Sequence, residues 1–188
     1  MSEAHPPPSK AGTIVSRRAY TGRIISLDVD TVRYPDGSTG DLEMIRHPGA
    51  SAIVPFASDP RGGDPTVLLL RQYRYAAGGT LFEIPAGRLE PGEAPSACAV
   101  RELREETGCT AERITPLFSM YTTPGFTDEL IHVFVATGLT RGAAVTERDE
   151  FIEVVELPLS ECMRMVERGE VRDAKTALSL LFASRFHT

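Results

Sequence analysis

Three glutamates lie within five residues of one another near the middle of this 188-residue sequence. They are Glu102, Glu105 and Glu106, in the stretch GRLEPGEAPSACAVRELREETGC. On a helix these carboxylates would repel one another, because like charges three and four residues apart are destabilising. The pattern therefore has two interpretations. It is either an ordinary solvated helix face or a set of carboxylates that binds a group of positive charge.

A helical wheel places the three carboxylates on about a third of the circumference. The opposite side carries small or apolar residues and is predicted to be buried: Ala97, Ala99, Val100, Leu103 and Thr107. Carboxylates on one rigid face, next to a loop that offers backbone carbonyls, suit Mg²⁺ or Mn²⁺, since both prefer oxygen ligands. Zinc is disfavoured, because no histidine or cysteine lies at a suitable spacing.

The spacing of the surrounding residues defines a longer motif. Five residues separate Gly87 from Glu93, and seven more separate Glu93 from RELREETGC, which begins at Arg101. This stretch resembles the Nudix box, GX5EX7REUXEEXGU, in which U is a large apolar residue. All fixed positions match and Leu103 fills the first U, whereas Cys109 in the second U is a departure that concerns local packing. Glu93 and Arg101 are predicted to pair with each other and to fix the loop against the helix.

The resemblance to the Nudix family implies roles for several residues. Nudix hydrolases cleave a diphosphate linked to another group and use divalent metals held by this motif. The resemblance implies that Glu102 and Glu106 are the principal metal ligands and that Glu105 assists in catalysis. The carbonyl of Ala86 is implied as a further metal contact, with Mg²⁺ as the cofactor and Mn²⁺ as the alternative. The match therefore favours a cation site over a solvated helix face.

The segment TPGFTDE, outside the box, bears on the substrate. Its Pro124 lies 15 residues beyond Cys109, and a proline at this offset resembles the marker of the ADP-ribose pyrophosphatase branch. The segment also resembles the SPGxSDE loop of that branch, with Thr123 in place of serine. The acid that ends this loop often serves as a general base or a further metal ligand, which implies that role for Glu129, with Asp128 as the fallback. The alternative is that both acids are ordinary surface residues.

Other segments extend the similarity to this branch over residues 15–183. They are YPDGS, IRHPGASAIVPF, LLLRQYR, LFEIPAGRLEPGE and DAKT. Arg74 matches a substrate-contacting position of the branch, and a guanidinium is a suitable fork for phosphate oxygens. Glu90, in the loop of the box, is a candidate for a contact to a ribose hydroxyl. Tyr73 and Tyr75 either stack on a base or belong to the core, and the core is the preferred interpretation.

The order of predicted elements indicates an α+β fold. Residues 14–57 are predicted to be strands, among them IISLDVD, whose apolar residues alternate as in a half-buried strand. Further strands are predicted at TVLLLRQYR, TLFEIPAG, ITPLFSMY, LIHVFVAT and FIEVVEL. Pro95 begins a central helix and Gly108 ends it, and two more helices follow at residues 159–167 and at residues 173–184, the latter capped by its first residue. This order predicts an α/β/α sandwich on a mixed sheet, and the resemblance implies the Nudix fold.

The chain is predicted to have three parts. Residues 1–12 are predicted to be a disordered arm, since prolines and small polar residues dominate them. Residues 13–48 are predicted to be a small N-terminal β-hairpin subdomain, and residues 49–188 the Nudix hydrolase domain. Enzymes of the branch that this sequence resembles are commonly dimers that exchange N-terminal strands. The resemblance therefore implies a homodimer in which the subdomain serves dimerisation and contacts the substrate.

Composition and charge exclude several classes of protein. A net charge of −6 argues against a nucleic-acid binder, which would carry a basic stripe. No apolar run approaches the length of a membrane span, and the N-terminus lacks the basic and apolar regions of a signal peptide. The three cysteines are scattered, which fits a reducing compartment. The sequence therefore predicts a cytoplasmic protein without nucleic-acid or membrane partners.

Together these features predict a Mg²⁺-dependent pyrophosphatase that splits ADP-ribose into AMP and ribose 5-phosphate. One alternative is a pyrophosphatase for another nucleoside diphosphate sugar, such as GDP-mannose. Another is a non-catalytic domain that binds a nucleotide sugar. The intact box argues against the latter, since a sensor has no need of every metal-binding carboxylate. In each case the partner is a small nucleoside diphosphate sugar.

Overall fold

The computed structural model describes residues 11–143 and 151–186 of the chain. These residues group into two compact units. The first unit contains residues 11–47 together with Tyr121–Leu130, and the second contains the other described residues. Each unit is described separately below.

The first unit is built on an antiparallel sheet of three strands in the order β1-β2-β3. The strands are β1 (Gly12–Thr21), β2 (Ser26–Arg33) and β3 (Thr39–Arg46). The YPDGS segment forms the turn that joins β2 to β3, and Asp36 Oδ1 accepts the backbone N–H of Ser38 there at 2.9 Å. Residues 14–57 were predicted to be strands and the subdomain to be a hairpin, and β1 extends that hairpin to a sheet of three strands because it pairs with β2 from end to end. The disordered arm predicted for residues 1–12 includes Gly12, the first residue of β1, while residues 1–10 lie outside the described residues.

Strand β2 buries its acidic face rather than its apolar face. The alternation predicted one set of residues to face inwards: Ile25, Leu27 and Val29. Instead Asp28 and Asp30 are buried, and Ile25 is 37% exposed. Arg46 accounts for much of this, because its Nε donates to Asp28 at 3.1 Å and its Nη2 pairs with Asp30. Arg18 pairs with Asp28 as well, so the carboxylates have the cationic partners that burial demands.

The second unit contains the remaining strands and the helices of the described residues. The strands are β4 (Ala50–Pro55), β5 (Thr66–Arg74), β6 (Gly79–Glu83), β7 (Ala86–Arg88), β8 (Cys109–Tyr121), β9 (Leu130–Arg141) and β10 (Ile152–Pro158), of which β8 and β9 each have one terminal residue in the first unit. The helices are α1 (Pro95–Thr107), α2 (Leu159–Glu167) and α3 (Ala174–Phe186). One sheet has the order β10-β5-β6 and the other β7-β4-β9-β8. Strand β4 is parallel to β9 and antiparallel to β7, which confirms the predicted mixed sheet.

The core of the second unit has helices on both faces of its larger sheet. Strand β4 is buried along its whole length. Ala52 and Val54 belong to an apolar cluster that includes residues of α2 and α3. Ile53 belongs instead to a cluster with Ala99 and Leu103 of α1. Successive residues of a strand point to opposite faces, so this alternation confirms the predicted α/β/α sandwich.

Helices α2 and α3 agree with the sequence prediction. The bounds of α2 are those predicted, and α3 ends two residues later than expected. Asp173 caps α3, because its Oδ2 accepts the backbone N–H of Thr176 at 3.0 Å and the hydroxyl of the same residue at 2.6 Å. No helix of the described residues is long and apolar enough to cross a membrane.

Replacing Asp173 with Ala is expected to lower the free energy of unfolding by about 1 kcal/mol, because the first turn of α3 loses its cap. Asp173→Asn keeps an acceptor for the N–H of Thr176 and is expected to retain most of the stability. Urea denaturation of the three proteins measures the difference. An equal loss in the Asn variant would show that the negative charge, which also pairs with Lys175, matters more than the cap.

Candidate active site

The predicted box lies on β7, the loop that follows it and α1, all in the second unit. Pro95 occupies the first turn of α1, where a missing N–H costs nothing. Gly108 follows the helix with a φ of 72°, a left-handed conformation that favours glycine, and its N–H donates to Arg104 O at 2.9 Å. The predicted bounds of α1 are therefore confirmed. Because β7 pairs with the buried strand β4, the loop starts from a fixed position.

Helix α1 buries two of its three glutamates. Glu106 is 3% exposed and Glu102 is 8% exposed, whereas Glu105 is partly exposed. The wheel predicted that all three carboxylates project from the open side and that Val100 is buried. That prediction is wrong, since Val100 is 44% exposed. The helix is covered on two sides, because Leu103 packs in the core while β7 lies against the buried carboxylates.

The backbone of Ala86 and Gly87 contacts both buried carboxylates. The N–H of Ala86 donates to Glu106 Oε2 at 3.0 Å. Gly87 lies so close to Glu102 that an added Cβ would be 1.8 Å from Glu102 Oε1. Any side chain at this glycine would therefore displace the Glu102 carboxylate. The two carboxylates and the start of the loop meet at one place in the second unit.

Arg101 joins the other acidic residues of the box. It binds both oxygens of Glu93, through Nε at 2.9 Å and Nη2 at 3.0 Å. Its Nη1 donates to Glu102 Oε1 at 2.6 Å and to Glu105 Oε2 at 3.1 Å. Its Nη2 also donates to the carbonyl of Arg88 at 3.1 Å. The predicted pairing of Glu93 with Arg101 is confirmed, and the same guanidinium offsets part of the repulsion among the helix glutamates.

These contacts set the ionisation of the groups around the loop. The hydrogen bonds from Arg101 lower the pKa of Glu93 from 4.5 to about 2, against the opposing effect of burial. Burial raises the pKa of Cys98 to about 11, and the charges of Glu93 and Glu102 act in the same direction. The Cys98 thiol is therefore neutral at pH 7, and it donates to the carbonyl of Gly87 at 3.5 Å.

The donor set at Ala86, Glu102 and Glu106 fits a hard divalent cation by its chemistry. Its donors are oxygens, two from buried carboxylates and one from a backbone carbonyl, and Mg²⁺ and Mn²⁺ prefer such ligands. Within residues 11–143 and 151–186, no three histidine, cysteine, aspartate or glutamate side chains converge into a metal-binding group. The candidate ligands are therefore two carboxylate side chains and one backbone carbonyl.

Arg74, the predicted substrate contact, is bound to a buried carboxylate. Its Nε and Nη2 donate to the two oxygens of Glu83 at 2.7 and 2.9 Å. Lys175 donates to Glu83 Oε2 at 2.6 Å and to Asp173 Oδ2 at 2.9 Å. Burial acts to raise the pKa of Glu83, but the hydrogen bonds and charges of Arg74 and Lys175 outweigh it and hold that pKa below its ordinary value. The Arg74 side chain is fixed in orientation and remains 42% exposed.

Glu83 and Lys175, which the structure places around Arg74, were not among the predicted site residues. Both lie in segments that carried the family resemblance, LFEIPAG and DAKT, which is the only signal that pointed to them. Lys175 is 92 residues from Glu83 along the chain, so no local pattern could pair them.

Glu90 and the two tyrosines lie at the surface. Glu90 is exposed, and its backbone N–H donates to Glu93 Oε2 at 3.0 Å. Tyr73 is 51% exposed and Tyr75 is 89% exposed, so the prediction that they belong to the core is wrong. Strand β5 ends at Arg74, and Tyr75 begins a short 3₁₀ turn outside the sheet.

Glu129 and Asp128 belong to the first unit. Thr122 Oγ1 donates to Glu129 Oε2 at 2.9 Å, and His47 Nδ1 lies 3.5 Å from Glu129 Oε1. Asp128 Oδ1 accepts the backbone N–H of His47 at 2.8 Å. The other predicted site residues all belong to the second unit: Arg74, Ala86, Glu90, Glu102, Glu105 and Glu106.

A cavity of about 950 Å³ in the second unit is lined by none of the predicted site residues. It includes Phe56, which follows β4, and Phe186 at the end of α3. Strand β7, where the box begins, pairs with the first residues of β4 instead. The cavity and the box therefore lie at opposite ends of β4. The candidate active site is therefore defined by its converging polar groups rather than by an enclosed volume.

Comparison with known proteins identifies the family. A family model described as the NUDIX domain matches residues 46–179. The chain therefore belongs to the Nudix family, and it is a Nudix hydrolase. An ADP-ribose pyrophosphatase of Bacillus subtilis (strain 168) is 39% identical to it over 172 residues, which cover 90% of each chain.

Two further similarities are to a second curated relative and to a solved structure. A GDP-mannose pyrophosphatase of Escherichia coli O1:K1 / APEC is 40% identical over 131 residues, which cover 65% of this chain and 68% of that protein. A solved structure described as an ADP compounds hydrolase matches with a TM-score of 0.82 at 21% identity, and the match covers 97% of this chain and 96% of that chain. The structural match confirms the predicted Nudix fold.

Replacing Glu93 with Gln is expected to lower the free energy of unfolding at pH 7 by about 1.5–3 kcal/mol, the range for hydrogen bonds to charged groups. Folding lowers the pKa of Glu93, so its contribution is fully present above the unfolded value of 4.5 and is lost as the pH falls towards about 2. Urea denaturation of the two proteins at a series of pH values is expected to show the difference shrinking in acid. A difference that is constant with pH would contradict the ion pair with Arg101. Glu167→Gln, at the exposed end of α2, is the control.

Proposed function

We propose that this protein hydrolyses the diphosphate bond of ADP-ribose and releases AMP and ribose 5-phosphate. The observation that carries the proposal is the complete Nudix box, in which two buried carboxylates of α1 meet the backbone of Ala86 and Gly87. The choice of substrate is supported by the 39% identity to an ADP-ribose pyrophosphatase over 90% of both chains. The TPGFTDE segment supports the same choice.

Mg²⁺, with Mn²⁺ as the alternative, is the proposed cofactor, and Ala86, Glu102 and Glu106 are its proposed ligands. A bound ion of this kind supplies charge neutralisation for the diphosphate and activation of water. The burial of Glu102 and Glu106 supports this assignment, because carboxylates removed from water need a compensating positive charge. Arg101 supplies part of that charge to Glu102.

Four other residues have proposed roles towards the substrate. Glu129 is the proposed general base that accepts a proton from the attacking water. Glu105 assists from the edge of the box, where its side chain is 33% exposed. Arg74 presents its guanidinium to phosphate oxygens in an orientation fixed by its bidentate contact to a buried carboxylate. The exposed Glu90 contacts a ribose hydroxyl.

GDP-mannose is the second candidate substrate. The 40% identity to a GDP-mannose pyrophosphatase supports it, over 65% of this chain. The longer match to the ADP-ribose enzyme, over 90% of this chain, favours ADP-ribose. A non-catalytic binding domain is disfavoured, because Glu102 and Glu106 are both present and buried in the box.

We also propose that the protein is a homodimer that exchanges N-terminal strands. Strand β1 is exposed along its whole length. Its apolar residues include Ile14, Val15 and Tyr20, which are 52%, 57% and 59% exposed. A strand edge that carries exposed apolar side chains is a template for pairing with another chain. The cytoplasmic location stays a prediction.

Incubation of the purified protein and Mg²⁺ with ADP-ribose, GDP-mannose, NADH and dinucleoside polyphosphates tests the substrate. ADP-ribose is expected to give the highest kcat/KM, with AMP and ribose 5-phosphate identified by chromatography and mass spectrometry. A higher kcat/KM for GDP-mannose would replace the proposed substrate with the second candidate. No turnover of any compound would support the binding domain.

Glu106→Gln is expected to reduce kcat about 100-fold or more, since the charge stabilisation that depends on a bound cation is worth several kcal/mol. The variant is expected to fold, because a Gln oxygen still accepts the N–H of Ala86. Steady-state kinetics, circular dichroism and Mn²⁺ titration by calorimetry measure activity, folding and cation affinity. Activity within a few-fold of the unmodified protein would show that the metal assignment is wrong. Glu167→Gln makes the same chemical change on an exposed helix end and serves as the control.

A further inference from the structure

The loop of residues 122–129 is joined to the end of β3 by backbone hydrogen bonds within the first unit. The N–H of Ile45 donates to Phe126 O at 2.8 Å, and the N–H of Asp128 donates to Ile45 O at 3.3 Å. Ile45 and Thr127 form a parallel bridge. The loop that carries Glu129 therefore continues the hydrogen-bonding pattern of the N-terminal sheet.

The side chain of Asp128 strengthens this junction. Its Oδ1 accepts the backbone N–H of His47 at 2.8 Å, and its Oδ2 accepts from Arg46 Nη1 at 3.4 Å. Arg46 is itself held by the two buried aspartates of β2, Asp28 and Asp30. Both oxygens of Asp128 thus face groups at the end of β3. This arrangement suits an anchor better than an acid or base, which must turn an oxygen towards the reacting water.

The carboxylate of Glu129 is oriented by two groups of the same unit. Thr122 Oγ1 donates to Oε2 at 2.9 Å, and His47 Nδ1 lies 3.5 Å from Oε1. The N–H of Thr122 also donates to the carbonyl of Glu129 at 3.3 Å, which closes the loop at its base. The Glu129 side chain is 26% exposed, so it is held in place and still reachable by water.

We propose that Asp128 and Thr122 are positioning residues for Glu129. Asp128 fixes the loop backbone on β3, and the hydroxyl of Thr122 sets the direction of the Glu129 carboxylate. The inference rests on the proposed function, in which Glu129 is the general base. Displacing a reacting group by about 1 Å costs about 100-fold in rate, so loss of the anchor is expected to affect kcat more than KM.

Two variants of Asp128 separate anchoring from acid–base chemistry. Asp128→Asn keeps an oxygen for the N–H of His47 and loses only an exposed ion pair of little value, so its kcat with ADP-ribose is expected to stay within about threefold. Asp128→Ala removes the acceptor and is expected to lower kcat about 10- to 100-fold, with KM changed by less than about threefold. Glu129→Gln measures how far kcat falls when the proposed general base itself is lost. A fall in Asp128→Asn as large as in Glu129→Gln, or full activity in Asp128→Ala, would overturn the proposal.

Two variants of Thr122 test the orientation of the carboxylate. Thr122→Val has nearly the same shape and lacks the hydroxyl, so kcat is expected to fall about tenfold through misorientation of Glu129. Thr122→Ser retains the donor and is expected to restore kcat to within about twofold of the unmodified protein. If the Ser and Val variants have equal activity, the hydroxyl has no positioning role.

Hydrogen exchange tests the anchor without any substrate. Asp128→Ala is expected to increase amide exchange, measured by mass spectrometry, in peptides that cover residues 122–129, whereas Asp128→Asn is not. Asp59→Ala is the control, because Asp59 also accepts a backbone N–H, that of Arg61 at 3.0 Å, in an exposed loop of the second unit. Unchanged exchange in Asp128→Ala would refute the anchor even if ADP-ribose is hydrolysed. Increased exchange in a protein that does not hydrolyse ADP-ribose would refute the proposed function and leave the anchor standing.

Discussion

The guanidinium of Arg101 is the group on which the geometry of the box depends. It contacts three carboxylates and a carbonyl oxygen at once, which joins α1 to the loop after β7. Only arginine offers enough donors in one plane for this, since a lysine has a single point of charge. The arrangement also explains how Glu102 and Glu105 tolerate each other on one helix. Part of their charge is offset by a cation supplied by the motif itself.

Burial distinguishes Glu102 and Glu106, the proposed metal ligands of α1, from the partly exposed Glu105. Glu102 and Glu106 lie under β7, where the absence of a side chain at Gly87 leaves room for a carboxylate. Glu105 points towards the solvent edge instead. Strand β4 supports this arrangement, because it is buried between helices and pairs directly with β7. The core of the second unit therefore fixes the backbone against which the carboxylates are placed.

In the first unit, too, one arginine binds several carboxylates. Asp28 and Asp30 are buried in its sheet because Arg46 reaches both of them, and the same arginine contacts Asp128 in the loop of residues 122–129. A network of charges thus connects β2, the end of β3 and the loop. The loop is also joined to the end of β3 by hydrogen bonds, among them the N–H of His47 to Asp128 Oδ1, so it is fixed by more than charge.

The sequence by itself determined the features whose causes are local. The ends of α1, the cap of α3 and the pairing of Glu93 with Arg101 follow from residue types at fixed short spacing, and the structure confirms each of them. Only the tertiary structure decided the buried face of β2 and the partners of Arg74. Glu83 is bound by Lys175 from a helix 92 residues away, and Asp28 is buried because arginines of neighbouring strands reach it. A periodic pattern predicts which residues share a face of a strand or helix. Whether that face is buried depends on the elements that pack against it.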